Sequence, residues 1–554
     1  MGAASSDGAL AERVRSLSHL LVGWPSATGT RGEADFAPRL AGLLRESAYF
    51  RAHPEDIVLV PSHGAPTTYS LVALVRGRGR RAVALAGHYD TVATENYGDL
   101  EALACDPGAL AGALIADLSG RRRSEQEARA LADLVGGDFI PGRGMLDMKS
   151  GLAAAIALME RFAERQDRPG NLILLATPDE ERESRGMRSL RDALPGLMAR
   201  WGIDIAAGIN LDVTSDQGDG SLGRSIYAGT IGKLLPFALV IGQPSHASYP
   251  FEGMSAALIG AEILAAVEGN ADLCDRGAGD VSPPPICLEA RDLRAGYEVT
   301  TPARYWLSFN WLYHSLSARD LFDRFGAEVA AAADRAVRRF SSEAGRFAAL
   351  TGLPPGGGIA APRLITLAAL RALAAERASP AGLAAVAELE ASLAGLDDPL
   401  ELSRRLTLAL ADAARITGPA VILGFAGLHY PPSRLDPARP KDAALRRAIE
   451  AAREAMAGEP GAAMTWRAHF QGISDMSFLG RPTHGAGDVV NANTPAARLV
   501  DRPVASALAY PVVNIGPWGR EFHQRLERVH APFAFDVLPR FVGLAVEALL
   551  AGEP

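Results

Sequence analysis

His88 and Asp90 are the first residues along the chain whose types and spacing suggest metal chemistry. Side chains two residues apart on an extended segment point to the same side. One of the pair can therefore bind a metal ion while the other orients it or its ligand. A His-x-Asp motif is also common in polar turns, so its meaning depends on the residues that follow it.

The next motif is the glycine-flanked loop GRGMLDMKSG at 142–151. Glycines on both sides of Asp147 permit a tight loop, and the two oxygens of this carboxylate could bridge two cations. The loop lacks the ending of a phosphate-binding P-loop, which argues against a nucleotide site.

A run of three carboxylates follows at Asp179, Glu180 and Glu181. At a buried strand end such a run is costly unless cations neutralise it. One glutamate can then bind metal while its neighbour serves as a general base. Taken alone, a solvated acidic turn is an equally good interpretation. Further along, Asp212 follows an apolar run, and His523 follows GPWG at 516–519.

The elements that must position these residues are short buried strands. Apolar runs at 81–87, 171–177 and 205–211 predict strands, and 151–162 predicts a helix. Strands separated by helices indicate a mostly parallel sheet covered on both faces. In such sheets reactive groups lie just beyond the carboxyl ends of the strands. His88, Glu180 and Asp212 each fall there.

A different pattern begins near residue 222, and the first pattern returns in the last quarter of the chain. We therefore predict a domain in two parts, 1–222 and 436–554, with a second domain inserted at 223–435. An Ala/Leu-rich stretch near 345–415 predicts a helical insertion without chemistry. Further predicted strands lie at 237–242, 304–313, 462–468 and 510–515, and further helices at 9–22, 255–268, 318–340, 443–457 and 536–550.

The ordered motifs together resemble the M20 metallopeptidase/deacylase family, and within it the arginine-utilisation protein RocB group. The motifs that carry the resemblance are HYDTV at 88–92, the loop at 142–151, and GPWG followed by His523. It covers most of the chain except the helical insertion. It implies an α/β fold: a zinc-peptidase-like three-layer α/β/α catalytic domain with an inserted α+β lid/dimerisation domain.

The resemblance also implies two divalent metal ions, most often Zn²⁺, with Mn²⁺ or Co²⁺ suited to the same ligand types. His88 and Asp212 would bind one ion, Glu181 and His523 the other, and Asp147 would bridge them.

Three further roles follow from the same resemblance. Glu180 would be the general base, and Asp90 would support His88. His246 would hold the oxyanion, reaching the site of a partner subunit in a homodimer. The alternative for His246 is a loop histidine that caps a helix.

The substrate-anchoring residues depart from the family pattern. Relatives carry an Asn before Ile-Pro and an Arg about ten residues later, whereas this chain has VTTP at 299–302 without either residue in place. Arg304, Asn310 and Arg520 are candidates to replace them. Trp518, within the GPWG segment, could narrow the pocket or stack on the substrate.

Composition excludes several other classes of protein. The formal net charge is −8, with 56 basic and 64 acidic residues, which gives no reason to expect nucleic acid or a polybasic membrane anchor. No apolar run approaches the ~20 residues of a membrane span. Three irregularly spaced cysteines do not form a disulfide framework. With no signal-peptide pattern at the N-terminus, we expect a cytoplasmic protein.

We therefore expect a hydrolase of the peptidase or deacylase type (EC 3.4 or 3.5.1) that cleaves an amide bond of a small molecule, in arginine or amino-acid catabolism. The alternative is a non-hydrolytic, metal-dependent binding or regulatory member of the same fold. A redox or nucleotide-binding α/β protein is disfavoured because no dinucleotide fingerprint is present.

Overall fold

The computed structural model describes residues 2–215, 223–277, 279–352, 358–481 and 487–552. The chain divides into two compact units. Unit 1 comprises Met1–Thr230, Ser433–Pro482 and Pro503–Pro554, and unit 2 comprises Ile231–Pro432 and Thr483–Arg502. The predicted divisions after 222 and 435 lie close to these bounds, whereas the return of Thr483–Arg502 to unit 2 was not predicted.

The helices are numbered in chain order. They are α1 Gly2–Val22, α2 Arg31–Arg45, α3 Ala48–Ala52, α4 Pro107–Ser119, α5 Glu125–Gly136, α6 Ser150–Glu164, α7 Arg185–Trp201, α8 Ala256–Val267, α9 Ala318–Thr351, α10 Leu367–Arg377, α11 Pro380–Ser392, α12 Pro399–Ala413, α13 Pro440–Ala455, α14 Gly487–Asn493 and α15 Leu538–Ala551.

The strands follow the same convention. They are β1 Ile57–Pro61, β2 Tyr69–Val75, β3 Arg81–His88, β4 Phe139–Pro141, β5 Asn171–Thr177, β6 Asp204–Asn210, β7 Thr214–Ser215, β8 Ser225–Tyr227, β9 Gly229–Thr230, β10 Gly232–Leu234, β11 Pro236–Ile241, β12 Arg276–Gly277, β13 Asp280–Val281, β14 Ile286–Asp292, β15 Arg304–Tyr313, β16 Arg363–Thr366, β17 Ala420–Phe425, β18 Ser433–Arg434, β19 Thr465–Arg467, β20 Val512–Asn514, β21 Trp518–Arg520 and β22 Arg528–His530.

Unit 1 contains an eight-stranded sheet in the order β1-β2-β5-β3-β6-β20-β8-β19. Its centre consists of β5, β3, β6 and β20, which are all parallel to their neighbours within this group. The strands end almost in line, because His88 pairs with Thr177, and Ala86 and Asn514 both pair with Asn210. The predicted parallel sheet is thus confirmed, although β1 and β2 at its antiparallel edge were not predicted.

Both faces of this sheet are covered because its central strands are apolar on both sides. Val83 and Leu85 of β3 join Leu172 and Leu174 of β5 in a core that also includes apolar residues of α1, α2, α6, α13 and α15. Helix α7 packs against β1, β2 and β5, and its apolar side chains lie outside that core. Unit 1 is therefore a helix–sheet–helix arrangement, as expected for an α/β protein.

Unit 1 also has a smaller sheet in the order β4-β22-β21-β7. It joins β4, just before the loop that carries Asp147, to strands near the C-terminus that lie on either side of His523. No sequence pattern indicated this sheet, because its strands are only two or three residues long.

Unit 2 is built on a six-stranded sheet in the order β10-β15-β11-β17-β16, with β14 paired to β15. One face packs against α8 and α9 through Leu307, Phe309 and Trp311. On the other face Trp306 stacks on Phe237 within a core that includes residues of α10 and α12.

The predicted helical insertion near 345–415 contributes one strand to this second sheet. It contains the end of α9, then β16, which pairs in parallel with β17, and then α10, α11 and α12. The Ala/Leu-rich composition predicted the helices correctly. It gave no indication of the four-residue strand β16, which pairs with the sheet.

The mixed α/β class with a central sheet is confirmed.

Among the described residues, no single helix is long and apolar enough to cross a membrane. One bent pair of helices, Glu95–Leu103 and Pro107–Ser119, meets the criteria of length and composition when the two are taken together.

Candidate metal centre

The residues predicted at the strand ends of unit 1 come together at the carboxyl edge of the central sheet. His88 is the last residue of β3, Glu180 lies just beyond β5, and Asp212 lies just beyond β6. The His88 Nε2 atom lies 3.1 Å from Asp147 Oδ1, 3.6 Å from Asp212 Oδ1 and 3.9 Å from Glu180 Oε2. One imidazole nitrogen thus faces three carboxylates from three different segments.

A second imidazole lies on the other side of Asp147. The His523 Nε2 atom is 2.9 Å from Asp147 Oδ2 and 3.0 Å from Glu181 Oε1. The two oxygens of Asp147 therefore face two different histidines. Potential ligand atoms of His88, Asp147 and Glu181 all lie within 4.8 Å of one another.

This set of side chains fits two divalent cations. Imidazole nitrogens and carboxylate oxygens are the ligand types that zinc, manganese and cobalt accept. Asp147, Glu180 and Asp212 are buried, and the Glu181 side chain is only 7% exposed. Four carboxylates collected in a buried place are unfavourable unless positive charge is collected with them.

Protons and metal ions compete for the same atoms in this cluster. Burial alone lowers the pKa of His523, but its hydrogen bonds to Asp147 and Glu181 outweigh that effect and raise it to about 11. Burial raises the pKa of Glu180 well above its ordinary value, and the charges of Asp212 and Glu181 add to the rise. His523 and Glu180 therefore both hold protons strongly when no cation balances the carboxylates.

Asp90 fixes the orientation of the residues around it. Its carboxylate accepts hydrogen bonds from the backbone N–H groups of Glu180 (3.1 Å) and Glu181 (3.2 Å) and from the Thr28 hydroxyl (2.9 Å). The His88 Nδ1 atom lies 3.0 Å from the Asp90 carbonyl oxygen, which can only accept. Nδ1 therefore carries the proton, and Nε2 keeps its lone pair for a metal.

Sequence reasoning missed several residues that hold the centre in place. The Ser474 hydroxyl donates to Asp212 Oδ2 (3.1 Å), and Asn514 Oδ1 accepts from the Asp212 backbone N–H (3.0 Å). Asp475 accepts from Thr177 at the end of β5. Asn514 could have been suspected as a polar residue ending an apolar strand, whereas no local pattern indicates Ser474 or Asp475.

The two predicted substrate contacts of unit 1 lie in the small sheet, on β21. Trp518 is buried, with its ring 5.3 Å from the His530 ring and 6.0 Å from the Phe139 ring. The Arg520 guanidinium lies 2.6 Å from an Asp133 carboxylate oxygen. The charge of Arg520 is thus already balanced within the fold, and the predicted contacts of both residues with substrate stay predictions.

The other predicted residues lie in unit 2. Arg304 begins β15 and forms an ion pair with Asp412, and Asn310 lies half-buried on the same strand. His246 is exposed on the loop after β11, where its Nδ1 atom accepts a hydrogen bond from the Ser248 backbone N–H (3.1 Å). The roles of these three residues also stay predictions.

The fold and the cluster together define a metal-dependent hydrolase of the peptidase type. The chain belongs to Peptidase family M20/M25/M40, whose family model matches residues 132–501. The family is metal-dependent and typically dinuclear. The predicted family is therefore confirmed, although His88, Asp90 and His523 lie outside the matched segment.

The chain is similar to individual proteins over nearly its whole length. The chain is 30% identical to the uncharacterized protein YqjN of Bacillus subtilis (strain 168), over 96% of this chain and 95% of that protein. It is 27% identical to Protein RocB of the same organism, over 96% and 94%. A tripeptidase from Staphylococcus aureus has a similar fold, with a TM-score of 0.50, 15% identity, and coverage of 98% of this chain and 99% of that one.

We predict that Ser474→Ala weakens metal binding, because the Asp212 carboxylate loses the hydroxyl that orients it. Loss of such a supporting hydrogen bond lowers metal affinity about 10- to 100-fold. Competition with a chromophoric chelator measures the change. Ser477→Ala is the matched control, since Ser477 is buried nearby and its Oγ has no hydrogen-bond partner among the described residues. Equal weakening in both variants would refute the role of Ser474.

We also predict proton release on metal binding at pH 8.5. A free histidine with a pKa of about 6.5 has already lost its proton at that pH, whereas the pKa of His523 is raised to about 11. Metal must displace this proton, so affinity should keep rising with pH until that pKa is passed. Calorimetry of the metal-free protein in buffers of different ionisation enthalpy counts the protons. His523→Ala should release fewer, and an unchanged count would contradict the prediction.

Proposed function

We propose that this chain is a two-metal hydrolase that cleaves an amide bond in a peptide or an N-acyl amino acid. The observation that carries the proposal is the placement of Asp147, whose two oxygens face His88 and His523 on opposite sides. A carboxylate so placed is suited to bridge two cations. Family membership supports metal-dependent amide hydrolysis in general.

In this proposal His88 and Asp212 hold one cation, Glu181 and His523 hold the other, and Asp147 joins them. Zn²⁺ fits the ligand types best, and Mn²⁺ or Co²⁺ would also fit. Two bound cations would supply a water of lowered pKa and polarise the substrate carbonyl.

Glu180 is the proposed general base. Burial raises the pKa of its carboxyl group, so Glu180 Oε2 holds a proton readily once it has taken one. It would accept the proton of the attacking water and return it to the nitrogen of the leaving amine. The hydrogen bond from its backbone N–H to Asp90 keeps this side chain facing the site.

His246 is proposed to donate a hydrogen bond to the developing oxyanion. Because its Nδ1 accepts from the Ser248 N–H, the neutral ring carries its proton on Nε2, which is then a donor. Donors aimed at the developing charge are a main source of rate enhancement in acyl transfer. Following the family resemblance, we propose that His246 acts on the site of a partner subunit in a homodimer.

We further propose a small-molecule amide substrate, a role in arginine or amino-acid catabolism, and a cytoplasmic location without nucleic-acid or membrane partners. The likeness to Protein RocB favours the metabolic role. All three cysteines are free, which agrees with a reducing compartment.

The second candidate is a non-hydrolytic, metal-dependent binding protein, and the intact Glu180 argues for the enzyme. We predict that Glu180→Gln binds metal like the wild type but loses about 10²- to 10⁴-fold in turnover, as is typical when a general base is removed. A panel of dipeptides and N-acyl amino acids measures the turnover, and metal analysis gives the stoichiometry.

Glu183→Gln, a change of the same kind in the same acidic segment, is the control and should keep full turnover. Binding of about two metal ions per chain without cleavage of any amide would favour the binding protein. If the wild type binds no metal, the site assignment itself fails.

For His246→Ala we predict normal metal content and turnover reduced by about 10²- to 10³-fold, the usual effect of removing one oxyanion donor. Mixing this variant with Glu180→Gln tests whether His246 acts across a dimer. A mixed dimer would contain one site with both an intact Glu180 and an intact His246, so activity should return on subunit exchange. Normal turnover of His246→Ala would remove the residue from the mechanism, and failure of the mixture to regain activity would place its action within one chain.

A further inference from the structure

Glu527 is a buried carboxylate that the proposed mechanism does not use. Its side chain is fully buried, and its Oε1 atom accepts hydrogen bonds from the backbone N–H groups of Gly144 (2.9 Å), Leu146 (3.3 Å) and Asp147 (3.4 Å). These three donors belong to the loop that carries the bridging carboxylate. One oxygen of Glu527 thus holds the backbone of the loop on which Asp147 depends.

The other oxygen of Glu527 faces a buried arginine. Arg143 Nη1 donates to Glu527 Oε2 at 2.5 Å, and the Arg143 side chain is only 1% exposed. Arg143 Nη2 donates to Asn96 Oδ1 (2.8 Å), and the Asn96 amide donates in turn to the His523 carbonyl oxygen (2.8 Å). The same arginine therefore connects the Asp147 loop with the backbone of His523.

The backbone of His523 needs such support. Its φ angle of 63° lies in the left-handed region, which is unfavourable for a residue other than glycine. Glu527 follows only four residues later, and its backbone N–H bonds to Gln524 in the same turn. One turn thus carries both a proposed metal ligand and the carboxylate that holds the bridging loop.

We propose that the Arg143–Glu527 ion pair and Asn96 form a positioning device that holds Asp147 and His523 in the correct relative position. The device thereby determines the affinity for the metal ion that Asp147, Glu181 and His523 would bind together. This inference rests on the proposed two-metal function. Asp147 faces both histidines, whereas His523 belongs to this metal position alone. The position held by His88 and Asp212 should therefore depend on the device less.

The variant Glu527→Gln keeps the shape of the side chain. It removes the negative charge and one of the two acceptor oxygens. An amide has one acceptor oxygen and one donor nitrogen. If the oxygen faces the loop N–H groups, the nitrogen faces the Arg143 donors, and the reverse orientation places the nitrogen against the loop. Either way one set of buried donors loses its acceptor, which is costly.

The test is a titration of the metal-free protein with Zn²⁺ against a chromophoric chelator. We expect two binding steps in the wild type. In Glu527→Gln we expect a loss of about 10- to 100-fold in one step and a smaller loss in the other. Glu521→Gln is the matched control. Glu521 lies at the same turn and is also a buried carboxylate paired with an arginine, Arg528. Within the described part of the chain its carboxylate makes no hydrogen bond or ion pair with a proposed metal ligand, so both steps should stay as in the wild type.

Two results would overturn the inference: wild-type affinity at both steps in folded Glu527→Gln, or equal weakening by Glu521→Gln. If Glu527→Gln does not fold, the exposed Asn96 decides the matter. Asn96→Ala removes the donor to the His523 carbonyl and should weaken the same step several-fold, and an unchanged step would overturn the proposal. A wild type without two binding steps would instead refute the proposed function itself.

Discussion

The carboxylate of Asp147 lies between two imidazoles, and three further carboxylates lie around them in a buried part of unit 1. Like charges this close repel strongly in a medium that water does not screen. The structure can hold them there only with compensating positive charge. The raised pKa values of His523 and Glu180 show that bound protons can compensate the carboxylates when no metal is present. We propose that two divalent cations compensate them in the active protein.

The parallel sheet brings several of these charges together at one edge. Because β5, β3 and β6 end almost in line, the residues that follow each strand meet at one edge. His88, Glu180 and Asp212 reach the centre in this way. Asp147 and His523 do not, since they lie on loops attached to the small sheet that joins β4 to β22.

The loops of the centre share one means of support, a buried carboxylate that accepts backbone N–H groups. Asp90 accepts from Glu180 and Glu181, and Glu527 accepts from the loop of Asp147. Hydrogen bonds to an ionised acceptor are stronger than those between neutral groups. They hold the proposed ligands in position before any metal binds, and Arg143 balances the charge of Glu527.

The sequence by itself determined the strand ends and the ligand types. The buried apolar runs before His88, Glu180 and Asp212 predicted parallel strands, and the order of the motifs indicated the family. Those features are local. A mostly apolar strand of seven or eight residues and the polar residue after it can be recognised without knowing which segments pack against them.

Only the tertiary structure decided which residues support the ligands. Ser474, Asn514, Glu527 and Asn96 come from segments far along the chain from the residues they hold. The short strands of the small sheet and β16 were likewise missed, because two to four residues carry no detectable periodicity and form strands only when a partner is already present. A hydrogen bond between distant segments cannot be detected in the sequence of either segment alone. The residues that meet at the centre could therefore be proposed from the sequence, whereas the residues that support them could not.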